Sequence, residues 1–179
     1  MNPKHDSLKT YVTLLKEYNT HTNIYSKASY DKLDFHINDS LTLAEIITNS
    51  NQTVFDFGSG SGFPAIPIAI QNKKNKVYAI ESKSRKTNFL SIVKKTLELQ
   101  NLIIVNKNLF EWTPTEKPTI ITAKAFSSLE KIETIAKKLK LKTLSIYIPI
   151  SKKQQETYKS LKTISFISKN NFLYLKKLI

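Results

Sequence analysis

Apolar residues recur at helical spacing from Leu8 to Ile24, through Leu8, Tyr11, Val12, Leu14, Leu15 and Tyr18, and a second helical stretch runs from Tyr30 to Ile47. Two helices therefore precede any strand. The period then changes. Thr53-Val54-Phe55-Asp56-Phe57 is short, β-branched and aromatic, and ends in a glycine cluster, which predicts the first strand. Phe63 to Ile70 is apolar with Pro64 and Pro67, which suits a helix whose prolines lie in the first turn, where missing N–H groups cost little. Lys76 to Ile80 reads as a second strand ending at Glu81. Ser84 is placed to cap the helix after it, with Phe89, Leu90, Ile92, Val93 and Leu97 as its buried stripe. Further strands are predicted at Leu102 to Val105, Pro118 to Ala123 and Thr143 to Ile148, with a helix from Ser128 to Leu141 before the last of these. Lys162 to Ser168 and Phe172 to Leu178 form a closing antiparallel pair.

Strands alternating with helices imply an α/β fold with a mainly parallel, twisted sheet covered on both faces. The 179 residues suit one domain, with residues 1–50 as a helical extension and 51–179 as the α/β core. The segment from Met1 to Thr10 lacks the apolar core of a signal peptide. No run reaches the roughly 18 apolar residues of a membrane-spanning helix, so a cytoplasmic protein without a membrane partner is expected. There is no cysteine, which excludes disulfides, thiolate metal sites and thiol nucleophiles together, and no metal ligand set is assigned. A net charge of +14 favours a polyanionic partner, nucleic acid before a membrane surface. Arg85 is the sole arginine, however, so an AT-rich lysine bias accounts for part of the excess.

The three glycines of the chain, Gly58, Gly60 and Gly62, all lie in the turn after the first strand. A tight turn alone needs one glycine. Three at alternate positions point to a ligand lying against the backbone. A dinucleotide fingerprint would want a fourth glycine where Phe63 stands. The alternating D-x-G-x-G-x-G resembles instead the turn of S-adenosylmethionine (SAM)-dependent methyltransferases. Asp56 is placed either to reach the ligand ammonium through water or to satisfy loop N–H groups. Glu81, at the end of the second strand, is placed to accept both ribose hydroxyls of an adenosine, with the adenine near Asn108, Leu109 and Phe110.

Four separated stretches resemble the bacterial glucose-inhibited division protein B family, guanine-N7 methyltransferases of small-subunit (16S) ribosomal RNA. They are Lys16-Glu17-Tyr18-Asn19 with Asn23, His36-Ile37-Asn38-Asp39-Ser40-Leu41, the turn Asp56 to Pro67 with its two prolines, and Lys124-Ala125-Phe126-Ser127-Ser128-Leu129. The resemblance implies a Rossmann-like class I fold and SAM as cofactor. It also implies 16S RNA or the small ribosomal subunit as partner, a monomer, and cofactor contacts at Gly58, Phe63, Leu109, Phe110 and Lys124. The chain departs from the family pattern at Phe35, Asn108 and Lys124, where arginine is common, and at Pro149-Ile150.

Guanine N7 carries a free lone pair and no proton, so its methylation needs no general base, and none is assigned. Lys124 is expected to position cofactor or guanine. Phe126 is read as a packing residue before a base-stacking one, and His36 and Asp39, three apart on one helical face, as mutual hydrogen-bond partners. Candidate RNA contacts are Lys9, Lys16, Lys27 and Lys32 of the N-terminal helices and Lys83, Arg85 and Lys86 after the second strand. The rival functions are methyl transfer to another substrate, RNA binding without turnover and, more distantly, nicotinamide-dependent oxidation.

Overall fold

The computed structural model describes residues 3–142 and 144–179, so Thr143, the expected start of the fifth strand, lies outside the described residues, as does Met1. Helix α1 spans Pro3–His21. A 3-10 helix at Lys27–Lys32 leads into α2 (Leu33–Ile47), which divides the single helix expected from Tyr30. The core then alternates: β1 (Thr53–Phe57), α3 (Ala65–Gln71), β2 (Lys76–Glu81), α4 (Ser84–Thr96), β3 (Leu102–Asn106), β4 (Ile120–Thr122), α5 (Leu129–Lys138), β5 (Ser145–Pro149), α6 (Lys152–Tyr158), β6 (Ile164–Lys169) and β7 (Phe172–Leu178).

The strands form one sheet in the order β3-β2-β1-β4-β5-β7-β6. The first five are parallel, and the closing pair is antiparallel, as its pattern predicts. Asn170 and Asn171 make the hairpin turn with φ of 50° and 65°, the left-handed geometry that asparagine tolerates and that matches strand twist.

β1 lies inside the sheet and is buried on both faces. Val54 joins a core built with α1 to α4, while Phe55 and Phe57 join a second core built with α5. Helix α1 is fastened to the first core by Tyr11 and Leu15, both fully buried, at about 1.5–3 kcal/mol of transfer free energy each. The Tyr11 hydroxyl donates to the carbonyl of Ser61 at 2.9 Å, so the N-terminal helix is tied directly to the glycine turn.

Three local expectations change. α3 starts at Ala65 with Pro64 as its N-cap, because the chain is still turning at Phe63. Lys83, not Ser84, is the N-cap of α4, and the Ser84 hydroxyl donates to Asn106 on the neighbouring strand end. In the same helix Phe89, Leu90 and Val93 are fully buried but Ile92 is 41% exposed. At about 100° per residue, Ile92 projects well away from the direction those three share. Helix α6, which the hydrophobic pattern does not show, is nucleated by a capping box between Ser151 and Gln154.

Candidate active site

The turn after β1 folds as its glycines require. Gly58 has φ +71°, and its amide donates to the Ile80 carbonyl at 2.9 Å, drawing the turn over the end of β2. A Cβ on Gly58 would overlap the Phe126 ring, with Cγ at 3.0 Å. Gly62, at φ +109°, makes room for protein rather than for a ligand, since a Cβ there would meet Ile66 and the Tyr11 hydroxyl. Gly60 faces open space beyond ordinary contact with the Gly58 carbonyl and Lys86.

Glu81 is held at this turn by two backbone donors, Gly60 N–H to Oε2 at 3.0 Å and Lys83 N–H to Oε1 at 2.9 Å. The Ser82 hydroxyl also donates to Oε1, at 3.4 Å, so of the roughly four lone-pair sites of a carboxylate about one remains, on Oε2, for a further donor. Glu81 borders a cavity of ≈ 390 Å³ together with Gly58, Leu109, Phe110, Phe126 and Lys131. Leu109 is buried. Phe110 is 38% exposed and has Lys131 and Lys138 about its ring, at 5.8 and 5.7 Å from the centroid. Phe126 packs edge-on against Phe57 while forming part of the cavity wall. The result is a cavity of mixed lining, with Leu109, Phe110 and Phe126 as an apolar wall, the Glu81 carboxylate beside it, and Lys83, Lys86, Lys107 and Lys131 around it.

Asp56 and Phe63 border neither this cavity nor the one beyond it. Asp56 is fully buried behind the turn. Its Oδ1 accepts from the Thr122 hydroxyl at 2.8 Å, and its Oδ2 has no hydrogen-bond partner among the described residues. Burial pushes its carboxyl up to about 6, against the opposing pull of donors and of the Lys124 charge. Phe63 lies over the Lys124 ammonium, 5.8 Å from ring centroid to Nζ, and beside Tyr11.

Lys124 opens toward a second cavity of ≈ 820 Å³, bordered also by Phe35, Asp39, Pro149, Ile150 and Phe172. The two cavities meet at Ala125, which lines both and holds the left-handed φ of 50°. Asp39 Oδ2 pairs with Lys124 Nζ at 2.6 Å, and Asp39 Oδ1 accepts from the Tyr174 hydroxyl at 2.9 Å. The expected pairing of His36 with Asp39 is thus replaced, because two stronger donors hold the carboxylate. His36 instead packs among Tyr25, Phe35 and Phe63. Its buried Nδ1 has no hydrogen-bond partner among the described residues, and burial, then the nearby Lys124 charge, hold its pKa below the ordinary value. Burial also lowers the pKa of Lys124, and Asp39 opposes that shift. Asp39 borders the second cavity but is committed to Lys124 and Tyr174, so it offers no free base there.

Of the candidate RNA contacts, Lys27, Arg85 and Lys86 converge on a polar cleft of ≈ 710 Å³ beside the loop after α1. Asn19 fixes that loop, accepting from Ile24 N–H and Tyr25 N–H and donating to the Tyr25 carbonyl and the Tyr30 hydroxyl. Lys83 and Lys86 also edge the first cavity. Lys16 lies over the Tyr30 ring, while Lys9 and Lys32 are exposed elsewhere.

The sheet order and the ligand turn define a Rossmann-like class I methyltransferase fold. Similar solved structures include a methyltransferase from Geobacter sulfurreducens (TM-score 0.64, 10% identity, 95% of this chain and 89% of that one). Another is a SAM-dependent methyltransferase from Aquifex aeolicus (TM-score 0.62, 15% identity, 87% and 100%). The family model described as rRNA small subunit methyltransferase G, GidB, matches residues 4–178, and the chain belongs to that family. Relatives named ribosomal RNA small subunit methyltransferase G come from Pseudomonas entomophila, 35% identical over 71% of this chain, and Brachyspira hyodysenteriae, 36% identical over 78%. The matches span 59% of the Pseudomonas relative's length and 67% of the Brachyspira relative's.

Proposed function

We propose that this chain binds SAM in the first cavity and methylates N7 of a guanine in 16S ribosomal RNA, working as a cytoplasmic monomer on the RNA or on the small ribosomal subunit. The strongest support is the meeting of two cavities at Ala125, one edged by the Glu81 carboxylate and the Leu109-Phe110 wall, the other by the Lys124 ammonium. Family membership supports the same substrate. Among the described residues no helix is long and apolar enough to cross a membrane.

The fit to the cofactor rests on the protein's own geometry. Gly58 lets the Phe126 ring close one wall of the cavity, Glu81 retains an acceptor site on Oε2 for a ribose hydroxyl, and Leu109 and Phe110 supply an apolar wall for a purine. SAM supplies an electrophilic methyl on sulfur, whose transfer requires nucleophile, methyl and leaving sulfur in line. Ala125 lines both cavities, so donor and acceptor approach one another at that residue. N7 attacks with a lone pair and releases no proton, so no base is required. Lys124 Nζ is placed to donate to the guanine O6, which fixes the ring with N7 facing the donor.

The test is incubation of the protein with methyl-labelled SAM and unmethylated small ribosomal subunits, followed by mapping of the modified atom. Label at a guanine N7 is expected. Label at any other atom overturns the substrate assignment, and absence of transfer to any RNA overturns the activity.

A further inference from the structure

The second cavity has an aromatic mouth that the chemistry above does not use. Phe35 is 56% exposed at its rim, and its ring stands edge-to-face with Phe172, 5.2 Å between centroids. Phe35 also lies four residues before Asp39 on α2, one helical turn of about 5.4 Å away on the same face. Phe35 and the Asp39-Lys124 pair thus border one cavity, within reach of a single flat group. The remaining border mixes apolar Pro149 and Ile150 with polar Ser151, Gln154 and Lys152.

We propose that Phe35, braced by Phe172, is the stacking platform that receives an unpaired purine base of RNA and sets its height above Lys124. The proposal rests on the RNA methyltransferase reading and assigns the substrate-positioning residue for it. Charge selects this occupant. Lys124 and Asp39 form a neutral pair, and Lys152 leaves the cavity border with a net positive charge, so the rim attracts phosphates and suits an RNA strand better than an acidic or purely apolar partner. Stacking is tolerant of base identity, so Phe35 supplies hold and orientation, while selection of guanine falls to donors bordering the cavity.

Phe35→Ala and Phe35→Trp are compared with the wild-type chain in methyl transfer to unmethylated small ribosomal subunits. Phe35→Ala is expected to raise KM for the RNA substrate roughly tenfold, the loss typical of one base-aromatic stack, with kcat and SAM affinity nearly unchanged. Phe35→Trp is expected to restore KM. Phe35 is mostly exposed, and an unchanged melting temperature for Phe35→Ala confirms that folding is intact. The second readout is fluorescence of the introduced indole, taken as the difference from wild type, whose single tryptophan, Trp112, packs on Phe55. A guanine-containing single-stranded oligoribonucleotide is expected to quench it, and an abasic oligomer of equal length to quench it much less. An unchanged KM for Phe35→Ala in a chain that methylates guanine N7 overturns the platform and leaves the activity standing. Where wild type transfers no methyl, the activity fails, and the quenching comparison alone decides the platform. Equal quenching by both oligomers, or quenching by an apolar peptide in place of RNA, overturns it.

Discussion

Replacing Asp56 by asparagine removes a carboxyl group that is fully enclosed and raised from its ordinary 3.8 to about 6 by burial. The sign follows from linkage. Below about pH 3 the carboxyl is protonated in both the folded and unfolded chains, and it costs nothing. Between 3.8 and about 6 the unfolded chain gives up the proton while the folded one keeps it, so stability falls as pH rises. Above about 6 both are ionised and the penalty is constant. At about 1.36 kcal/mol for each tenfold change in the proton equilibrium, the full penalty is about 3 kcal/mol. Asparagine has no such titration. Whatever its amide loses or gains against Thr122 is the same at every pH, so the diagnostic quantity is how the stability difference between variant and wild type changes with pH. Urea unfolding curves are expected to show that difference moving in favour of Asp56→Asn by about 3 kcal/mol between pH 3 and pH 8, or roughly 6–12 °C in melting temperature for a chain of this size. A difference that stays flat across this range would show that Asp56 titrates near the ordinary carboxyl value, through water or through Lys124, and would refute the argument from burial.

Gly58→Ala puts a Cβ into Phe126 at a left-handed φ, with an expected cost of about 1–2 kcal/mol in stability from backbone strain alone and loss of SAM binding by calorimetric titration. Glu81→Gln removes the charge and one acceptor oxygen, and SAM affinity is expected to fall by about tenfold to a hundredfold while the fold, followed by circular dichroism, is retained. Changing Lys27, Arg85 and Lys86 together to glutamine is expected to reduce the steepness of RNA affinity against salt by about 2 in a log-log plot. An unaltered salt slope would place the RNA phosphates elsewhere.

The parts of the site that lie on contiguous sequence were legible. Three glycines in a chain that has no others mark the turn, and Glu81 at the end of a β-branched run marks the carboxylate that the turn grips. Local pattern could not separate the duties of those glycines. Gly58 clears space for Phe126, sixty-eight residues downstream, and Gly62 for Ile66 and for Tyr11 on a helix about fifty residues upstream, while Gly60 alone of the three faces open space. The Asp39 anchor was illegible for the same reason. Its partners, Lys124 and Tyr174, arrive from the segment after β4 and from β7, so spacing within α2 suggested His36. Ile92 was misplaced because a stripe was read from apolar identity rather than angular position. Helix α6 carried a sign in its Ser-x-x-Gln start, but it has no buried residue and so no hydrophobic period to announce it.

The strand order has a consequence for synthesis. β7, the most C-terminal strand described, lies between β5 and β6 instead of at an edge, and Tyr174 on it closes the Asp39 anchor. While a nascent chain is still being extruded, β5 is an open border with unpaired backbone groups, and Asp39 lacks its phenol. The enclosure that orients Lys124 is therefore completed only when the last strand inserts, so a chain cut short before residue 172 would lack the sheet's interior strand as well as its end.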